Sequence, residues 1–328
     1  MRLLEYRNGA FKAPVIRAGN LPRYAVLSHT WGPDADEVTY KDLVDGTGDG
    51  KAGYEEIRFC AGQAQRDGLR YIWVDTCCID KTSSTELQEA ITSMFQWYKK
   101  ADRCYVYLSD VAAPEHKDDD EDDDDEKVKD TWWEPAFRAS KLFTRGWTLQ
   151  ELVAPASVEF FTRNGQRLGD KRSLEQPIHE ITGIALSALR GTDLAQFDVE
   201  ERFKWAEKRL TTREEDWAYS LLGIFGVFLP LIYGEGKAHA VRRLNQEIAN
   251  AARSHTAHED VIDLLSTEFE DEGRYVDIQN PVATTWLISF EQIRQRDPLA
   301  ADYLSFAACV DAKDIPLSLL PPGLSPKT

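Results

Sequence analysis

Four short apolar runs, Tyr24–Ser28, Tyr71–Asp75, Arg103–Ser109 and Val158–Phe161, most constrain what this chain folds into. Each is apolar for most of its length instead of alternating with polar residues. A strand that is apolar on both sides is covered on both sides, the usual condition of a parallel strand beneath helices. Helical patterns separate the runs. Residues 54–66 bring Ile57, Ala61 and Ala64 onto one stripe. Residues 86–100 repeat Leu87, Ala90, Ile91, Met94 and the Trp97/Tyr98 pair at the 3.6-residue period. Strand and helix in alternation predict an α/β fold, a doubly wound parallel sheet flanked by helices.

Past Phe161 the chain reads as mainly helical. Thr212 and Glu215 have the spacing of a capping box, ahead of Trp217, Leu221, Ile224 and Phe225. Val241, Leu244, Ile248 and Ala251 mark a further helix, so an α-helical C-terminal extension is expected on the sheet. The expected division is a domain over residues 1–250, a polar linker over 251–282 with some helix around Val261–Leu265, and a helical tail over 283–328.

With 328 residues and 42% hydrophobic content, the chain is long enough for one large domain and an appendage. The net charge of −17 is unevenly spread: Asp118–Glu126 is an unbroken run of nine acidic residues, and without them the balance is −8. That run, within a loop over 114–130, reads as a solvated, self-repelling segment. It lacks the ligand spacing and turn glycine of a calcium loop. An acidic chain with no basic stripe argues against nucleic-acid binding. The five cysteines, Cys60, Cys77, Cys78, Cys104 and Cys309, form no CxxC pair and no zinc spacing, which suits free thiols in a reducing compartment. The N-terminus carries charges through its apolar residues and does not read as a signal peptide, and no window approaches a membrane span. A cytoplasmic protein without a resident metal or cofactor is expected.

In an open α/β sheet, ligands bind outside the carboxyl ends of the strands. Those ends here carry Ser28, His29, Thr30 and Trp31, then Asp75 to Asp80, then Ser109 and Asp110. Strand ends also become polar simply because loops are polar. His29 reads either as a general base or as a hydrogen-bonded structural histidine. Cys77 and Cys78 beside it read as core fillers in preference to nucleophiles, because adjacent buried cysteines are inert. Trp31, next to Gly32 and Pro33, is the aromatic best placed to stack on a ring. Arg213, Glu215 and Asp216 read as an ion-pair group. The Gly- and Asp-rich Pro33–Gly53 segment reads as a lid or an assembly surface.

Five ordered blocks carry a family resemblance: YAVLSHTWG (Tyr24–Gly32), YIWVDTCCID (Tyr71–Asp80), FTRGWTLQEL (Phe143–Leu152), TTREEDWAYSLLGIF (Thr211–Phe225) and PLIYGEG (Pro230–Gly236). Together, from about residue 20 to about residue 250, they resemble the heterokaryon-incompatibility (HET) domain of filamentous fungi. TRGWTLQEL in turn resembles the S-R-W-C-L-x-E-L element of TIR domains. That likeness implies a TIR-like, flavodoxin-like sheet and an NAD-cleaving cell-death effector activated by self-association. It places the catalytic glutamate on Glu151, with Arg145 and Trp147 beside it. Ser28, His29, Trp31, Asp75 and Asp80, together with Arg145 and Trp147, then become candidates for binding NAD or a related nucleotide as substrate. The chemistry is reasonable for a carboxylate: cleavage of an N-glycosidic bond passes through an oxocarbenium-like state that a negative charge stabilises. The plainer alternative is that Glu151 pairs with Arg145 or Arg213. A non-enzymatic, self-associating signalling module fits the same fold. An oxidoreductase does not, because no GxGxxG follows the first apolar run.

The tail from Ala283 to Leu320 resembles the winged-helix-like segment of fungal receptor-type ATPases, which implies docking to a receptor-type partner. No GxxxxGK(S/T) loop is present; GDGKAG and GEGKAH lack its spacing and its hydroxyl.

Overall fold

The structure is a computed structural model that describes residues 1–7, 10–16, 21–113 and 132–266. The acidic run, the tail and the second half of the expected linker lie outside these residues. The chain divides into two units, Met1–Ala249 and Asn250–Thr328, and the first holds the sheet.

The first unit is an α/β domain built on one seven-stranded mixed sheet, with strands in the order β2-β1-β4-β3-β5-β6-β7. They are β1 (Arg2–Arg7), β2 (Ala10–Ile16), β3 (Tyr24–His29), β4 (Tyr71–Trp73), β5 (Arg103–Leu108), β6 (Val158–Thr162) and β7 (Arg167–Asp170). The four expected strands are the central four, and they run parallel: β3 beside β4 and β5, and β5 beside β6. All six residues of β3 are buried, as covering on both faces requires. The expectation of a parallel sheet is extended at both edges. β1 and β2 form an antiparallel hairpin against β4, and β7 returns antiparallel to β6.

Helices α1 (Tyr40–Asp45) and α2 (Gly53–Arg66) follow β3, α3 (Ser84–Lys99) joins β4 to β5, and α4 (Thr148–Val153) precedes β6. α2 packs the side of the sheet to which His29, Tyr105 and Tyr107 point, through Glu56, Asp67 and Phe59. Its buried stripe is Ile57, Cys60, Ala61 and Ala64. α3 and α4 cover the other side, where Tyr24, Ser28 and Cys104 point. The Tyr98 hydroxyl of α3 also donates to the Leu27 carbonyl.

This arrangement fixes a switch point. The chain leaves β3 towards one face and returns from β5 to β6 by way of the other. The connections of β3 and β5 therefore part at their carboxyl ends, the position at which open α/β sheets bind their ligands. The Pro33–Gly53 segment is folded down beside it. α1 is capped by Thr39 and Asp42, and Lys51 ties Asp42 and the Glu37 carbonyl together.

Beyond β7 the described chain is helical. The expected capping box at Thr212 and Glu215 does not form. The helix there is only Asp216–Tyr219, and Glu215 turns away to accept the Gly234 and Gly236 amides at 2.8 and 2.9 Å. The last helix, α5 (Lys237–Ser266), runs on through the first part of the stretch read as linker.

Candidate functional site

Period-two alternation sends Ser28 and His29 to opposite sides of β3, and each meets a carboxylate there. Ser28 Oγ donates to Glu151 Oε2 at 2.6 Å. His29 Nδ1 bonds Glu56, and His29 Nε2 lies 3.2 Å from Asp75 Oδ1. Asp75, just past the end of β4, bridges the two sides and also accepts from Trp31 Nε1 at 3.0 Å. Lys81 Nζ sits 3.6 Å from the Trp31 ring centroid and Arg145 Cζ 5.6 Å from it. Glu37 closes the edge by accepting the Gly32 amide at 2.6 Å.

Glu151 is only 4% exposed. Burial and the charge of Asp75 raise its pKa to about 7, against the opposing pull of Ser28, His29 and Arg145. Burial alone would push the His29 imidazole down, but its bonds to Asp75 and Glu56 hold it well above its ordinary value. Asp75 ends below the usual carboxylate range: burial raises it, but His29, Lys81 and Arg145 outweigh that. Two neighbouring carboxyl groups pushed in opposite directions form a pattern found where proton and charge chemistry is done. His29 acts as counter-ion, hydrogen-bonded between two acids.

α4 positions Glu151, and all six of its residues are buried. The segment before it is held in a backbone bridge: Leu210 N donates to Thr144 O at 2.6 Å and Gly146 N to Leu210 O at 2.8 Å. Gly146 suits this close approach, since a Cβ would meet Thr211 Cγ2 at 2.5 Å and the threonine would have to move. Arg209 is buried behind the bridge and donates to the Arg145 carbonyl at 2.8 Å and Thr148 Oγ1 at 3.0 Å. Burial depresses its pKa to about 10, against the charge of Glu151.

Ser28, His29, Trp31, Asp75, Arg145 and Glu151 thus come together. Asp80 and Trp147 do not join them. The Asp80 carboxylate accepts the Thr82 amide and hydroxyl and shapes the turn that carries Lys81. Trp147 bonds Asp216, whose other partner is the Tyr233 hydroxyl at 3.0 Å. Arg213 lies over the Tyr233 ring at 4.3 Å, so the expected ion-pair group is an aromatic and hydrogen-bonded one. Arg145 and Arg213 are not within ion-pair distance of Glu151, although Arg145 contributes to its field. The Cys77 thiol is pushed up by its bond to Cys78 and by burial, which disfavours a nucleophilic role.

Glu56, Lys81 and Arg209 were not evident in the sequence. Glu56 sits in the first turn of α2, where an acid is ordinary. Two hollows of about 450 and 380 Å³ lie elsewhere, one beside Arg103 and Arg190, the other beside Gln88 and Leu231. Among the described residues no helix is long and apolar enough to cross a membrane.

Residues 24–151 match the family model "Heterokaryon incompatibility protein (HET)", which covers β3 through Glu151. The chain belongs to the heterokaryon incompatibility family. It is 57% identical over 250 residues to the vegetative incompatibility protein HET-E-1 of Podospora anserina, a match covering 76% of this chain and 18% of that protein. It is 54% identical over 63 residues to a nucleotide-binding leucine-rich repeat (NLR)-like protein of Hyaloscypha variabilis, 19% of this chain and 6% of that one. The HET chain therefore spans under a fifth of the length of these relatives. No solved structure matches it.

Proposed function

We propose that this HET domain cleaves the nicotinamide–ribose bond of NAD or a related nucleotide, and that it does so as a cell-death effector of vegetative incompatibility activated by self-association. The observation that carries the reading is Glu151: a buried carboxylate, oriented by Ser28 and raised to about 7, beside the switch point of a parallel sheet.

The bond between ribose C1′ and the nicotinamide nitrogen breaks with its electron pair leaving on nicotinamide, which departs neutral. The positive charge passes to C1′ and the ring oxygen. Water adds at C1′ and loses a proton, leaving ADP-ribose, nicotinamide and one proton. Ionised Glu151 stabilises the cationic state directly or through the ribose hydroxyls. Ser28 fixes the carboxylate, and Asp75 holds His29 and Trp31 in place around it.

The test is nicotinamide release from NAD by wild type and Glu151→Ala. Release that is lost on substitution supports the reading; release unaffected by it removes Glu151 from the chemistry. Because Glu151 carries more charge as pH rises through about 7, kcat/KM should climb between about pH 6 and pH 8.

The near-complete burial of Glu151 favours a second reading, a non-enzymatic module that signals by self-association. An absence of nicotinamide release from clustered protein would select it. The NLR-like relative supports a receptor-type partner for either reading.

A further inference from the structure

Trp31 is 37% exposed, and two cations share its indole. Among the described residues, neither the Lys81 ammonium nor the Arg145 guanidinium has a carboxylate within ion-pair distance. Their local acid, Asp75, already holds His29 and the Trp31 N–H. Lys81 is exposed as a whole, yet its head lies against the ring, and burial lowers its pKa below the ordinary lysine value.

Both cations are presented by built backbone. Asp80 fixes the Lys81 turn through the Thr82 amide, at 3.0 Å. The bridge to Leu210 and the Arg209 guanidinium fix the backbone of Arg145. Two held cations, unpaired, on a part-exposed indole and close to a buried carboxylate suit a ligand with its own negative charge on the outside and a polar neutral group turned inward.

We propose that Lys81 and Arg145 form a clamp for a diphosphate, so that the site takes a dinucleotide with its charged linker across Trp31 and one ribose turned towards Ser28 and Glu151. The orientation of that ribose rests on the NAD-cleaving reading; the clamp itself requires only a diphosphate-bearing nucleotide. A cation–π contact is weaker than a charge-assisted hydrogen bond to phosphate, so Lys81 exchanges the indole for the phosphate. That exchange uncovers a ring face for stacking. The planar guanidinium of Arg145 supplies paired donors, which a lysine there would not. Selectivity follows: nicotinamide riboside, which has no phosphate, is a poor ligand even though it contains the scissile bond.

Calorimetric titration of the whole chain with ADP-ribose and with nicotinamide riboside tests this. ADP-ribose should bind more than about tenfold tighter than nicotinamide riboside, with affinity falling as salt rises. Lys81→Met or Arg145→Met should weaken ADP-ribose about tenfold at an unchanged melting temperature, and Lys81→Arg should retain most of the affinity. Equal binding of the two ligands, or ADP-ribose affinity unchanged in the Lys81→Met/Arg145→Met double variant, overturns the clamp. If nicotinamide release from NAD persists in that case, the NAD-cleaving reading survives alone. A wild-type chain that binds neither ligand overturns the clamp as well, and failure to release nicotinamide would then remove both.

Discussion

His29 makes the burial of Asp75 and the partial burial of Glu56 tolerable. Its side chain is only 3% exposed and is bonded on both ring nitrogens to carboxylates. Removing one partner from a buried charge group leaves the others uncompensated, so His29→Ala should cost about 3–5 kcal/mol in urea unfolding. A cost below about 1 kcal/mol would mean that water reaches Asp75 and Glu56 freely. Glu151 is the opposite case, a carboxyl group that burial opposes when charged. Its folded pKa, about 7, lies above the ordinary 4.5, so the folded chain holds a proton that the unfolded chain has released. The stability this contributes is complete below 4.5 and is lost as pH rises through about 7. Glu151→Gln should therefore flatten the pH dependence, gaining on wild type by on the order of 2–3 kcal/mol between acid and mildly alkaline pH. Parallel unfolding curves for the two proteins at both pH values would refute this.

At the scale of elements, α4 is short and ends inside the protein, so its last carbonyls need partners. Lys171, buried beside β7, meets that end: Nζ donates to Leu152 O in the last turn at 3.3 Å and to Pro155 O, just past the helix, at 2.6 Å. Lys171→Met should destabilise the chain by about 1–2 kcal/mol and loosen the helix that carries Glu151. Amide exchange over residues 148–153, faster in the variant than elsewhere in the sheet, would show it. A second contact has no slack. A Cβ on Gly223 would lie 2.2 Å from Phe95 Cβ, so α3 and the helix Leu222–Phe225 meet there at the closest possible distance. Gly223→Ala should cost at least about 1–3 kcal/mol by overpacking, and the double variant with Phe95→Ala should cost less than the two changes summed. Additive losses would place the strain elsewhere.

For the whole molecule, the burial of Glu151 and the proposed activation by self-association belong together. Trp31 and Lys81 stand over the carboxyl ends of the central strands, and ordering them over a bound nucleotide is the step that a neighbouring copy would assist. Nicotinamide release per chain should then rise with protein concentration or on forced clustering. Constant specific activity across a hundredfold dilution, with a monomer throughout by light scattering, would exclude it.

Local pattern was enough to place the central sheet and its two covering helices, because strands buried on both faces must be apolar throughout and covering helices must repeat at 3.6 residues. It also marked Ser28, His29, Trp31, Asp75, Arg145 and Glu151, since strand ends and the TRGWTLQEL block carry local signals. The edge strands were hidden because β1 and β7 mix charge with apolar residues, and β1 joins the sheet through distant partners, pairing with β4 and binding Arg70 through Glu5. Contacts between segments far apart in the chain bring Glu56 and Arg209 to the site and leave Asp80 and Trp147 to turns and packing around it. Those assignments depend on which surfaces meet across the switch point, and no local pattern encodes that meeting.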